Sequence, residues 1–454
     1  MKNKGSLVAT TTLKDEIAVN MVRSEHFIYV ALGTLGTYLL SAKLHRVKTE
    51  YQSYFSQLNL KLKERYSGAS AAIIDLDRLD ANVRFIRNKL DSEYKLRLVT
   101  KSLPSLDLLK YLLETTQTNR LMVFSEPFII EILTNMEFDS LDILLGKPLS
   151  VDAFSRLTAY RGWTSIHWLI DTKERLNQYL FYAQRGNLRI KISLEIDIGL
   201  HRGGFETIED FTEVVKIIQQ NSRFLELTGL MGYDGHVPYV PFYINKQKAI
   251  RKAFIKMQNR YRRFVDELKK HYDAEAIRNM TFNSGGSHTY FNYSDVKSST
   301  PINDIAIGSG FVTPQQFSYL IKLGHQPSLF LSSPVLKKLE SSKLPHAEKL
   351  ATLLNLWNPN LSVSYFTLGG GWPGELISPV GMRRNHWWDG NDLGYSNLLP
   401  NQSILSSSDK NNIRVDDFVF YHPWQGDGML CFRKLVLYRQ AGFVGEWSTF
   451  NGGN

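Results

Sequence analysis

From residue 71 onward, short apolar runs alternate with stretches whose apolar residues recur every three or four positions. The runs at 96–101, 120–125, 142–145, 166–170, 190–196, 228–233, 280–285 and 304–308 are short and bounded by polar turns, and so predict strands. Segments between them, such as Leu106–Glu114, Phe128–Asn135 and Asp210–Gln220, carry helical spacing. A further strand is predicted at Ala71–Leu76. The helix after it places Leu79, Val83 and Ile86 on one face and has Asp75 or Asp77 as its cap. Eight strands alternating with helices predict an α/β fold, a closed parallel (β/α)8 TIM-type barrel; an open doubly wound sheet is the rival.

The flanks of this pattern differ from it. Residues 43–66 read as an amphipathic helix ending at the Ser67-Gly68 break, which predicts an N-terminal helical extension. Before it, 27–42 is uncharged but shorter than the roughly 20 residues of a spanning helix, and Tyr29, Thr34, Thr37, Tyr38 and two glycines dilute it. The leading reading is an apolar helix docked on the body, with membrane contact through 27–42 as the alternative. After about residue 320 the alternation stops, and Leu376–Tyr395 is rich in Trp, Arg, Gly and Asp, as in a loop-heavy β domain. The expected division is therefore 1–66, 67–320 and 321–454.

Composition narrows the function. The 454 residues exceed one ordinary core. The net charge of +10 is spread along the chain and no nucleic-acid module is present, so an anionic substrate or cofactor, or a membrane surface, fits equally well. Cys431 is the only cysteine, which rules out an internal disulfide and fits a cytoplasmic protein.

A barrel of this kind gathers its chemistry after the C-terminal ends of its strands. Lys101 ends the first strand, and Ser125-Glu126 follows the second. Asp197-Ile198-Gly199-Leu200-His201-Arg202-Gly203-Gly204 follows the fifth, Tyr233-Asp234-Gly235-His236 the sixth, Asn283–His288 the seventh and Gly308-Ser309-Gly310 the eighth. A lysine at a strand mouth inside a pocket can lose its proton and attack a carbonyl, which is how pyridoxal phosphate is held as a Schiff base. The alternative is a solvated strand-end lysine. Ser284-Gly285-Gly286-Ser287 has little side-chain bulk, so its amides and hydroxyls can approach an anion, with Gly308 and Ser309 opposite. Arg202 follows a strand carrying Glu195 and Asp197 and is either half of an ion pair or a cation for a phenolate oxygen.

Taken in order, Ala71–Val83, Lys101, Glu195–Gly204, Gly229–His236, Ser284–Ser287 and Gly308–Gly310 resemble the fold-type III pyridoxal-phosphate enzymes, the alanine racemase-like barrels, over roughly 66–320. Val415–Trp424 is similar to the closing segment of the D-threonine aldolase and D-serine dehydratase branch. The resemblance implies a lyase that cleaves or dehydrates a β-hydroxy-D-amino acid through a Lys101 Schiff base. It also implies Arg202 on the phenolate, Tyr233 flanking the cofactor, and the phosphate on Ser284, Gly285, Gly286, Ser287, Gly308 and Ser309. His422 matches a base or metal ligand of that branch, but Trp424, which cannot bind a metal, occupies the second ligand position. Asp427, His386 and Asp389 are the other candidates for that position. Alanine racemases carry an arginine before the glycine of the eighth strand, whereas Asp304-Ile305-Ala306-Ile307-Gly308 has none. A small amino-acid substrate and a homodimer, with one chain's C-terminal domain capping the other's barrel, are further implications. The competing readings are an amino-acid racemase, a non-catalytic pyridoxal-phosphate-binding protein, and a barrel that binds no cofactor.

Overall fold

The computed structural model describes residues 33–34, 36–37, 41, 45–66, 68–136, 140–241, 244–296, 299–341, 352, 355–385 and 401–451. Most of 27–42, with His386, Trp387, Trp388 and Asp389, lies outside them. Among the described residues no helix is long and apolar enough to cross a membrane.

Two compact units are interleaved along the chain: 70–332 with 372–375 and 420–454, and the described residues up to 69 with 333–371 and 376–419. The first unit opens with β1 (Ala71–Asp75) and then builds a closed parallel barrel. Its strands are β2 (Lys95–Val99), β3 (Arg120–Val123), β4 (Asp142–Leu145), β5 (Ile166–Ile170), β6 (Ile190–Glu195), β7 (Leu225–Met231), β8 (Thr281–Ser284) and β9 (Asp304–Ile307). Each lies within or overlaps one of the predicted runs. Closure comes from β9 pairing with β2, in register from Lys95↔Asp304 to Leu98↔Ile307, so the sheet is not the open one. Gly229 permits one of the close approaches: a Cβ there would lie 1.9 Å from the Thr281 carbonyl oxygen, where β7 meets β8.

Local signals position the helices. Asp75 caps Leu76–Lys89 by accepting from the Arg78 amide at 3.0 Å. Ser105 caps Leu106–Thr116 by accepting from the Leu108 amide at 3.3 Å, while Leu108, Leu109 and Leu112 are buried. Between β2 and that helix a 3-10 turn, Thr100–Ser102, carries Lys101.

The barrel interior is polar near the start of its strands. Arg97 is 1% exposed. Its Nε and Nη2 donate to Asp304 at 2.8 and 3.0 Å, and its Nη1 donates to Asp142 Oδ1 at 2.8 Å. Arg120 lies 2.9 Å from both carboxylates, and Asn283 donates to Asp304. His167 Nδ1 lies 2.7 Å from Thr228 Oγ1. A buried charge is tolerated only when it is paired and hydrogen-bonded, and these charges are.

Beside the barrel, β1 pairs antiparallel with the start of β10 (Leu329–Leu339) and parallel with Lys434–Arg439, which turns back into Gly442–Ser448. The second unit is mostly β. From Val335 on, β10 pairs with Val363–Leu368, which pairs with Gln402–Ser407. Its helix Ser53–Arg65 buries Phe55, Leu58 and Leu62, and Asn59 and Lys63 both donate to Asp417.

Candidate active site

A cavity of about 240 Å³ opens where the barrel strands end. Val99, Met122, Met231, Asn283 and Ala306 form its strand-borne wall, and Lys101, Arg202, Tyr233, Gly285–His288, Gly308 and Ser309 come from the turns. Of the residues expected to hold the cofactor or to act in catalysis, Ser284 and His422 do not line it.

Lys101 reaches the cavity because the turn after β2 is pinned. Ser309 Oγ donates to Ser102 Oγ at 3.0 Å, joining the ends of β9 and β2. Gly308 allows this approach, since a Cβ there would stand 2.9 Å from Val99 Cβ and 3.0 Å from Ser102 Cβ. Among the described residues no Asp or Glu lines the cavity.

Opposite the lysine, Gly285 adopts φ +81°, the left-handed region, and a Cβ there would meet Ile305 Cγ2 at 2.8 Å. Ser287 Oγ accepts from the amides of Gly310 at 2.8 Å and Gly308 at 3.4 Å, binding the two turns together. Among the described residues the amides of Gly285, Gly286 and Ser287 make no hydrogen bond within the protein. Successive free amides in a glycine turn make an anion-binding concavity. Ser284 faces the other way, with its Oγ 3.1 Å from the Tyr293 hydroxyl.

The Arg202 guanidinium lies 5.0 Å from the centre of the Tyr233 ring. Burial, with Asp234 adding and Arg202 opposing, pushes the Tyr233 phenol up to about 12, so it remains protonated at neutral pH. Asp197 shapes the turn that delivers Arg202, accepting from the Gly199 and His201 amides at 2.8 and 3.1 Å. Under this turn, burial raises the Glu195 carboxyl to about 7 against the opposing charge of Arg202.

His288 was not singled out from the sequence, although it directly follows Ser287. Its Nδ1 lies 2.7 Å from the Tyr319 hydroxyl and its ring stacks on Phe317 at 4.2 Å. Burial pushes it down to about 4, so the ring is neutral at pH 7. His422 is instead buried, with Nε2 2.8 Å from the Thr313 carbonyl oxygen.

A divalent ion needs several ligand atoms at one point. Trp424 offers none. Among the described residues the one such group is Asp197, His201 and Glu206, away from His422. Arg260 lies 3.7 and 3.8 Å from those two carboxylates and already supplies a positive charge there. Pyridoxal phosphate fits the cavity residues better: a lysine amine for the aldehyde, and a glycine turn with free amides for the phosphate.

Comparison with known proteins identifies the fold and the family. No curated protein matches the chain by sequence. Solved structures do match its fold. The D-threonine aldolase from Filomicrobium marinum is similar with a TM-score of 0.62 at 13% identity, over 83% of this chain and 94% of that one. The D-threo-3-hydroxyaspartate dehydratase from Delftia sp. HT23 gives 0.59 at 13% identity, over 85% and 98%. The alanine racemase from Bacillus anthracis with bound L-Ala-P gives 0.60 at 14% identity, over 84% and 97%. At these identities the likeness shows the fold alone. The profile described as "Alanine racemase, N-terminal domain" matches residues 74–302, half of the sequence, and the chain therefore belongs to that family.

Proposed function

We propose that this protein is a pyridoxal-phosphate lyase acting on a D-amino acid with a β-hydroxyl group, breaking its Cα–Cβ bond or removing the hydroxyl as water. The observation that carries the reading is one cavity holding Lys101 and the free amides of Gly285, Gly286 and Ser287, with no carboxylate among the described residues of its wall. Lys101 would hold the cofactor's aldehyde carbon, the glycine turn its phosphate, and Arg202 its phenolate oxygen. When bound, the cofactor supplies a sink for the electron pair released at the substrate's α-carbon.

The chain's own residues supply the proton transfers. Lys101 Nζ, displaced by the substrate amine, is the base for an α-proton. His288 takes the place proposed for His422, whose Nε2 is held by Thr313. In the tautomer whose Nδ1–H donates to the Tyr319 hydroxyl, 2.7 Å away, Nε2 is the free nitrogen, and the proton of a β-hydroxyl moves to it as the Cα–Cβ bond breaks. Phe317 stacks on the imidazole and keeps water from that face. No step is assigned to a metal.

Racemisation is the second reading, favoured by Tyr233, a second proton-carrying group in the cavity beside Lys101. Ala306 weighs against it, a neutral side chain in the cavity wall on the strand where racemases of the resemblance carry arginine. The test is product analysis of protein loaded with pyridoxal phosphate and offered D- and L-β-hydroxy amino acids. Glycine plus aldehyde, or a keto acid plus ammonia, from the D-isomers supports the lyase. Interconversion of enantiomers without carbonyl product supports the racemase. A homodimer is part of the proposal, and light scattering at the mass of a single chain contradicts it.

A further inference from the structure

We infer that Asp234 is a positioning residue that fixes phosphate recognition from behind the cavity. The inference rests on the pyridoxal-phosphate reading above and assigns a role to a residue that does not touch the cavity.

Asp234 follows Tyr233 at the end of β7 and is fully buried. Its Oδ1 accepts from Thr289 Oγ1 and its Oδ2 from the Tyr293 hydroxyl, both at 2.8 Å. The Tyr293 hydroxyl is in turn 3.1 Å from Ser284 Oγ. One carboxylate therefore ties both ends of the glycine turn, directly at Thr289 and through the Tyr293 hydroxyl at Ser284. The Tyr293 ring also backs the turn's middle, 3.5 Å from where a Gly285 Cβ would stand. The Thr289 amide closes the loop by donating to the Gly286 carbonyl at 3.0 Å.

Among the described residues no cation pairs with Asp234. A carboxylate held by two neutral hydroxyls and its own backbone amide is a costly way to fill buried space, and burial raises it to about 6 despite those hydrogen bonds. What the arrangement provides is shape. Backbone amides bind an anion well only when they already point at it, and glycines on their own do not hold a turn in one conformation. The network places Ser284 in this frame, which explains why its hydroxyl is turned from the cavity.

The test compares pyridoxal phosphate with pyridoxal, the same aldehyde without the phosphate, binding to wild type and Asp234→Asn, with dissociation constants read by absorbance. In D234N an amide NH2 meets one of the two hydroxyl donors. Pyridoxal phosphate is expected to weaken by about tenfold or more and pyridoxal by less than about twofold, as loss of a charge-assisted bond to the turn predicts. Thr289→Val removes a single donor and gives a smaller loss with the same selectivity; it carries the test if circular dichroism shows D234N unfolded. An unchanged preference for the phosphorylated ligand in the folded variant overturns the inference and leaves the proposed function standing. Wild-type protein that binds neither ligand overturns both.

Discussion

Where the barrel strands begin, Arg97, Arg120, Asp142 and Asp304 neutralise one another within hydrogen-bond distance. Where they end, Lys101 and three backbone amides face a cavity with no carboxylate among the described residues of its wall. The same eight strands support both ends. Charges satisfied by each other hold the barrel shut, whereas the free donors at the other end are open to a ligand from outside. Arg97 and Lys101 are two turns of one idea, cations four residues apart on one strand and its exit, of which only the second is available to a ligand.

Substitutions at the two ends should therefore fail differently. The largest effect is expected from Lys101→Ala, which should lower turnover by about 10³-fold or more with an unchanged melting temperature, as loss of a covalent and acid–base group predicts. Arg97→Met should do the reverse. Removing one partner of a buried ion network costs about 3 kcal/mol or more. Urea unfolding should show that loss, while turnover per folded molecule stays near wild type.

His288→Gln and His422→Gln sharpen the contrast within the cavity end. The first should cost about 100-fold in turnover as loss of a general base. The second should cost about 1 kcal/mol of stability as loss of one hydrogen bond, with little kinetic change. The reversed result would return the catalytic role to His422.

The smallest effect is one of pH. Burial pushes His167 down to about 4 from its ordinary 6.5. The unfolded chain then binds a proton that the folded chain does not between those values, so stability falls as pH is lowered from about 6.5 to about 4. Asp142, held well below the ordinary carboxylate range by the Arg97, His167 and Arg120 charges against the cost of burial, extends the loss to lower pH. His167→Gln should flatten the decline between pH 6.5 and 4 in unfolding curves taken across that range. An equally steep decline in the variant contradicts the assignment.

The barrel was legible because each strand is a local apolar run and the runs recur in one order. The turns were legible because glycines, Lys101 and Arg202 fall just past those runs. Side-chain direction was not. Arg97 interrupts Leu96 and Leu98, but its partners lie 45 and 207 residues away and meet it only once the sheet closes. Ser284 belongs to the predicted phosphate turn, and only the fold brings Tyr293 to its hydroxyl. His422 sits in a recognisable motif, yet its nitrogen is fixed by a carbonyl 109 residues distant. His288 was open to notice beside Ser287, but its exposure to the cavity depends on Tyr319 and Phe317 from a later turn.

Whether the free donors at the strand ends receive pyridoxal phosphate is decided by borohydride reduction of the full chain after incubation with the cofactor, followed by peptide mass analysis. A pyridoxyl group is expected on the peptide containing Lys101 and is expected to be absent in Lys101→Ala. An unmodified Lys101 peptide in folded protein held with excess cofactor would contradict the proposed cofactor site.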